Sequence, residues 1–368
     1  MTMTKRFFAA AAAILLSICA FTATAQDTPE YVYPSSKGWK EVKPAKHGYS
    51  SQKLSKVKDF VINKTKGTGM MIVVGGESIF EYGHLTKLSY LASCRKSLLA
   101  MLYGKYVENG TIDLEKTVGE LGIDDTIEPG FDVGLLPSEK EATVRDLITS
   151  RSGVYHVPAE TGDAKVKPAR GSKPHGTYYI YNNWDFNVAG ECFERMTGKD
   201  IYDAFGEDIA IPIKMEDWDR SAQHKSADRP DASLWPAYHF YLSTRDMARL
   251  GYLMLRGGKW KDQQVIPASW VKTITSEVSS YEEVCAVRKD NRYSYGYMWW
   301  LFDEKDARNT APYKGAYMAW GAMGQYIVVL PALDMVVAFK TDEVFGRKTK
   351  PAAFLELLDL VVNAKEDE

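Results

Sequence analysis

Apolar runs at opposite ends of the chain constrain its fold most. Gly69-Met70-Met71-Ile72-Val73-Val74 and Ser78-Ile79-Phe80-Glu81-Tyr82-Gly83 are joined by Gly75-Gly76-Glu77. Two β-rich runs around a glycine turn read as a hairpin. Far downstream, Gln325–Leu330 and Met335–Phe339 flank the turn Pro331-Ala332-Leu333-Asp334 and read as a second pair. Between them the patterns are helical. The expectation is an α+β fold: an antiparallel sheet made from the N- and C-terminal segments, flanked by helices, with a mostly helical inserted lobe.

Leu54, Val57, Phe60 and Val61 have helical spacing, which predicts a helix over about Ser51–Lys64. Leu98, Leu99, Leu102, Tyr106 and Val107, stopped by Asn109-Gly110, predict another that starts near Ser93. Thr143 caps a short helix from Val144. Tyr181–Met196, Ser243–Arg256 and Phe354–Val362 complete the set, and the Pro- and Gly-bearing stretch 157–176 reads as a surface loop. Residues 49–109 with 243–364 then form an α/β lobe, and 110–242 a helical lobe of the same domain. The polar, proline-bearing stretch 26–48 reads as an exposed arm.

Residues 1–25 have the pattern of a secretory signal peptide: Lys5-Arg6, the apolar Phe7–Ala20, then Ala23-Thr24-Ala25 before a cut at Gln26. A membrane-anchoring helix is the alternative, for which the run is short. Cys19 is a lipidation candidate, against which the bulky Ile18 argues. No later stretch is long and apolar enough to span a bilayer, so an exported, periplasmic protein is expected. The balance of 46 Lys and Arg against 48 Asp and Glu offers no basic face for nucleic acid. Cys94, Cys192 and Cys285 are odd in number and lack metal-type spacing, and the histidines are scattered. No disulfide framework, metal site or cofactor is expected; the spacing leaves oligomeric state open.

The chemistry concentrates in Ser93-Cys94-Arg95-Lys96. On a helix, residues three apart share a face, so Ser93 and Lys96 meet. A serine hydroxyl needs a neighbour to take its proton, and a buried lysine can do so. The helix start favours negative charge near Ser93. Alone, the pattern also fits a capping serine and a solvated lysine, and Cys94 reads as a small buried residue that helix phase turns away from Lys96. Two further stretches offer partners. Tyr181 and Asn183 sit two apart before a helix, where a phenol near a cationic lysine would have a lowered pKa and relay protons. Ala319-Trp320-Gly321-Ala322-Met323-Gly324-Gln325 leads into a strand, where the N–H groups of Ala322 and Ser93 are candidates for an oxyanion hole. The Asn183 amide can donate to a substrate carbonyl or hold Lys96, and Tyr155, Trp184, Trp320 and Gly321 are candidates to line a substrate pocket, the aromatic three reading equally as core.

Together these stretches resemble the serine β-lactamase and penicillin-binding protein superfamily, in its class C β-lactamase, family VIII esterase and 6-aminohexanoate-dimer hydrolase branch. The likeness covers roughly residues 50–360. It rests on Ser93-x-x-Lys96, on Tyr181-Asn182-Asn183 as a Y-x-N motif, and on Thr143–Val154 and Ser243–Arg249. It implies a serine hydrolase acting on a small ester, amide or short peptide, with Ser93 as nucleophile and Lys96 and Tyr181 as base and acid. Trp320-Gly321-Ala322 replaces the K-T-G motif and lacks a basic residue for a β-lactam carboxylate. A D,D-peptidase or β-lactamase, and a catalytically silent binding or sensor module, are the alternatives.

Overall fold

The computed structural model describes residues 31–366 except 36–37, 129, 131–133, 161–166, 290 and 303–311. The leader pattern over 1–25, Cys19 and the first residues of the arm lie outside the described residues. In chain order, α1 (Ser51–Lys64), β1 (Gly69–Val74), β2 (Glu77–Gly83), β3 (Ser89–Tyr90) and α2 (Cys94–Glu108) come first. The segment 110–242 holds α3 (Val144–Ile148), α4 (Asn183–Thr197), α5 (Ile201–Phe205), β4 (His224–Ser226), β5 (Ala237–His239) and β6 (Tyr241–Leu242), joined by long loops. Then follow α6 (Thr244–Leu255), β7 (Lys259–Trp260), β8 (Gln263–Gln264), α7 (Ala268–Ile274), α8 (Tyr281–Val287) and β9 (Tyr293–Tyr295). The remainder is β10 (Trp300–Phe302), β11 (Tyr317–Gly321), β12 (Gln325–Leu330), β13 (Met335–Lys340) and α9 (Pro351–Val362).

Seven strands form one antiparallel sheet in the order β2-β1-β13-β12-β11-β10-β9. The register from Gly69↔Lys340 to Val74↔Met335 joins the two ends of the chain. Strands β1, β12 and β13 are buried at every residue, which a sheet covered on both faces requires. Side chains alternate between faces along a strand. Ile327 and Val336 face α6, whose Gly251 approaches so closely that a Cβ there would lie 2.5 Å from Val336 Cγ1. Tyr326 and Phe339 point to the other face and pack on Phe354 of α9, at centroid distances of 3.6 and 5.2 Å. The antiparallel sheet drawn from both chain ends, with helices on it, is the architecture that the sequence pattern predicts.

The arm is held more closely than its polar composition suggests. The Val42 N–H donates to Ser78 O and the Ser78 N–H to Lys40 O, each at 2.9 Å. Residues 40–42 thus cover part of the otherwise open edge of β2. Beside them the buried Glu77 carboxylate receives Lys40, Lys46 and His47. Burial alone would raise its pKa; the hydrogen bonds from Lys46, Lys40 and His47 outweigh it and hold the carboxyl at about 2. That value lies below the ~4.3 of an unfolded glutamate, so the stabilisation is present above that pH and is lost as pH falls towards the folded value. Glu77→Gln is therefore expected to lower stability at neutral pH in urea unfolding, with the gap to the parent chain narrowing between about pH 5 and pH 3.

Candidate active site

Ser93 stands at the mouth of α2, but its hydroxyl does not cap the helix. The residue before it, Ala92, has φ 48°, a left-handed conformation that costs a non-glycine residue on the order of 1 kcal/mol. Two contacts hold this bend. The Leu91 N–H donates to Phe240 O at 2.9 Å. On the other side, the end of β11 presses in: a Cβ on Gly321 would lie 2.4 Å from Leu91 O and 3.2 Å from Ala92 Cβ. Glycine at 321 is thus required by close approach, and this contact sets Ala322 beside the segment that carries Ser93. Gly321→Ala is expected to shift that segment and cost about 10²-fold in kcat of any reaction that uses the Ser93 hydroxyl, the scale of an ångström-sized misplacement. Steady-state kinetics with a melting curve would separate this from unfolding.

One helical turn on, Lys96 is buried. Its Nζ donates to Ser93 Oγ at 2.9 Å, Tyr181 Oη at 2.9 Å and Asn183 Oδ1 at 2.7 Å. Tyr181 and Asn183 arrive on the chain entering α4. Between them, Asn182 is extended, with φ −109° and ψ 119°, and its side chain caps the helix on the Trp184 N–H. It also donates to Val154 O and Asp185 Oδ1. An extended residue between them sends both neighbours to the same side. Asn182 is a positioning residue whose signal, an amide just before a helical pattern, was present in the sequence.

The phenol of Tyr181 does not behave as expected beside a lysine. Burial pushes it up to about 12; the hydrogen bond to Ser93 and the cations Arg288 and Arg95 pull down without prevailing. The ring is desolvated by stacking on Trp300 at 5.5 Å and by Phe186 at 4.8 Å. The lowered pKa predicted from the sequence is thereby corrected: Tyr181 is a neutral donor at physiological pH.

Of the two readings of Trp184, pocket wall and core, the structure shows core. Its side chain is fully buried, and its indole N–H donates to Asp125 Oδ2 at 2.7 Å. One residue beyond Asn183 on a helix is a rotation of about 100°, which turns it into the core rather than a pocket. Tyr155 is buried too. Trp320 is half-buried and lies 5.4 Å from Trp300, so it alone of the three aromatic candidates joins the wall beside Tyr181. Cys94 is buried with Sγ donating to Gln325 O, and burial raises its thiol pKa. Cys94, Cys192 and Cys285 are unpaired.

Sequence reasoning did not single out Arg95. Its guanidinium is buried, donates to Glu160 Oε1 at 2.7 Å and Asn187 Oδ1 at 2.9 Å, and lies over the Tyr238 ring. It ties α2 to α4 and to the loop after Tyr155. Among the described residues no group of three or more His, Cys, Asp or Glu side chains is placed to hold a metal, and no helix is long and apolar enough to cross a membrane.

A model of the family described as Beta-lactamase matches residues 55–359. Solved structures of the same fold include a Bacillus anthracis protein assigned as a 6-aminohexanoate-dimer hydrolase, with TM-score 0.64, 17% identity and 90% of each chain covered. A family VIII carboxylesterase superimposes with TM-score 0.59 and 19% identity over 86% of this chain and 99% of that one. A penicillin-binding protein homologue from Caulobacter crescentus gives 0.58 and 17% over 86% and 99%. At such identities these likenesses speak for the fold. The family match spans most of the sequence and runs through all three stretches that meet at Lys96 and Gly321, and on that ground the chain belongs to the Beta-lactamase family of hydrolases, within the serine β-lactamase and penicillin-binding protein superfamily.

Proposed function

We propose that this protein is an exported serine hydrolase that cleaves a carboxylic ester or amide through an acyl-enzyme on Ser93. The observation that carries the reading is the convergence of Ser93 Oγ, Tyr181 Oη and Asn183 Oδ1 on one buried side-chain nitrogen, each within 2.9 Å of Lys96 Nζ. Nucleophilic attack needs one proton-accepting site next to Oγ. The Lys96–Tyr181 pair supplies it as amine plus phenol, or as ammonium plus phenolate in a minor form. Oγ attacks the carbonyl carbon as its proton passes to the pair, and the oxyanion is received by the Ser93 and Ala322 N–H groups. Collapse breaks the bond to the leaving group, which takes the proton from Tyr181. Water, giving its proton to the same pair, then releases the acid and restores Ser93. Asn183 holds Lys96 in place.

The third stretch itself offers no lysine to grip a β-lactam carboxylate. Trp320 stands where a K-T-G motif would place its lysine, and β11 brings an aromatic face to that position. Export rests on the leader pattern at Lys5 to Ala25, and a periplasmic location follows from it. A fluorophosphonate is expected to label the full chain once, at Ser93, and to abolish hydrolysis of a short-chain p-nitrophenyl ester. A folded chain that is neither labelled nor active would overturn the reading and leave a binding module on this fold.

A further inference from the structure

Arg288 belongs to none of the three stretches, yet it lies against the same aromatic wall. It follows α8 directly and is half-buried. Its guanidinium carbon is 5.1 Å from the Tyr181 ring centroid, 5.2 Å from Trp300 and 5.7 Å from Trp320. Its backbone is fixed: the N–H donates to Val284 O at 2.9 Å, and the carbonyl accepts from the Asn291 N–H at 2.8 Å. Other arginines spend their charge on carboxylates, Arg95 on Glu160 and Arg151 on Glu283. Among the described residues, Arg288 makes no ion pair. Ring faces attract a guanidinium but use none of its N–H donors, and its planar fork matches a carboxylate.

We propose that Arg288 is a specificity-determining residue that receives a free carboxylate of the substrate, supplying from α8 the cation that the Trp320-Gly321-Ala322 stretch lacks. The inference rests on the serine-hydrolase reading above. Because the guanidinium lies on the ring of the group that protonates the leaving atom, the carboxylate sits only a few bonds from the scissile carbonyl. The preferred substrates are esters or amides that carry such an acid. The same cation also pulls down the Tyr181 phenol, a role that would act on every substrate alike. The two roles therefore separate by substrate charge.

The test uses two pairs of esters that differ only in charge: mono-4-nitrophenyl glutarate against its methyl ester, and 3-(pentanoyloxy)benzoate against its methyl ester. The first pair carries the acid on the acyl side and the second on the leaving group. In at least one pair the parent chain is expected to favour the acid by about 10- to 100-fold in kcat/KM, chiefly through KM, the scale of a charge-assisted hydrogen bond. Arg288→Gln should abolish that preference, losing at least about tenfold more on the acid than on the methyl ester, while Arg288→Lys keeps part of it. No preference in either pair, or equal losses on acid and methyl ester, would overturn the proposal. If no ester is turned over and Ser93 stays unlabelled, the hydrolase reading has failed instead. Binding of monomethyl glutarate to the folded chain by saturation-transfer NMR then decides on Arg288 alone: weakening in Arg288→Gln supports the site, and unchanged binding overturns it.

Discussion

Ser93→Ala is expected to remove ester hydrolysis while leaving the melting temperature almost unchanged. The combination is diagnostic, because the rival role for this serine predicts the reverse. If Ser93 served as a helix cap, its loss would cost about 1 kcal/mol, a few degrees in melting temperature for a chain of this size, and would leave turnover alone. In the structure the hydroxyl caps nothing; it lies on Lys96 Nζ. Alanine there leaves Lys96 with Tyr181 and Asn183 as acceptors and keeps the helix start intact. The loss in kcat should reach on the order of 10³- to 10⁶-fold, the scale seen when a nucleophile acting within a catalytic unit is deleted. Turnover of a p-nitrophenyl ester by the purified, folded variant checks it; unreduced activity would end the proposal that an acyl group is carried on Ser93.

The parts of this arrangement that local patterns encode were readable, and the parts that depend on distant segments were not. Helical spacing alone places Ser93 beside Lys96, and the apolar runs at 69–74, 325–330 and 335–339 mark the strands that become β1, β12 and β13. Thr143, predicted as a cap, forms a full capping box with Asp146. Trp184 stays open between pocket and core in the sequence because the two differ there by a single step of helix phase, and the position of Asp125 decides which side the indole takes. The phenol of Tyr181 was misjudged because lysine is near in motif while Trp300, the ring that desolvates it, comes from a strand over a hundred residues on. Arg288 and Glu160 carry no local pattern at all. They reach the site on loops whose course is set by the packing of the whole lobe, which no window of sequence contains.

The second large effect tests whether Lys96 accepts a proton or merely supplies charge. Lys96→Ala is expected to lower kcat about 10²- to 10⁴-fold, and Tyr181→Phe by a loss on the same scale. These losses alone do not separate the two roles, since a buried cation 2.9 Å from Ser93 Oγ would also stabilise charge developing there. Lys96→Arg separates them. Arginine keeps the cation and can donate to Tyr181 and Asn183, but it does not give up its proton in a protein. If proton transfer is the role, Lys96→Arg is as slow as Lys96→Ala; if charge is the role, it recovers most of the rate. The double variant Lys96→Ala/Tyr181→Phe carries the argument one step further. Two groups sharing one proton fail together, so it should be no slower than about the worse single variant. Losses that multiply instead would mean that phenol and amine act at separate steps, and the shared-proton mechanism would fall even with Ser93 confirmed as nucleophile.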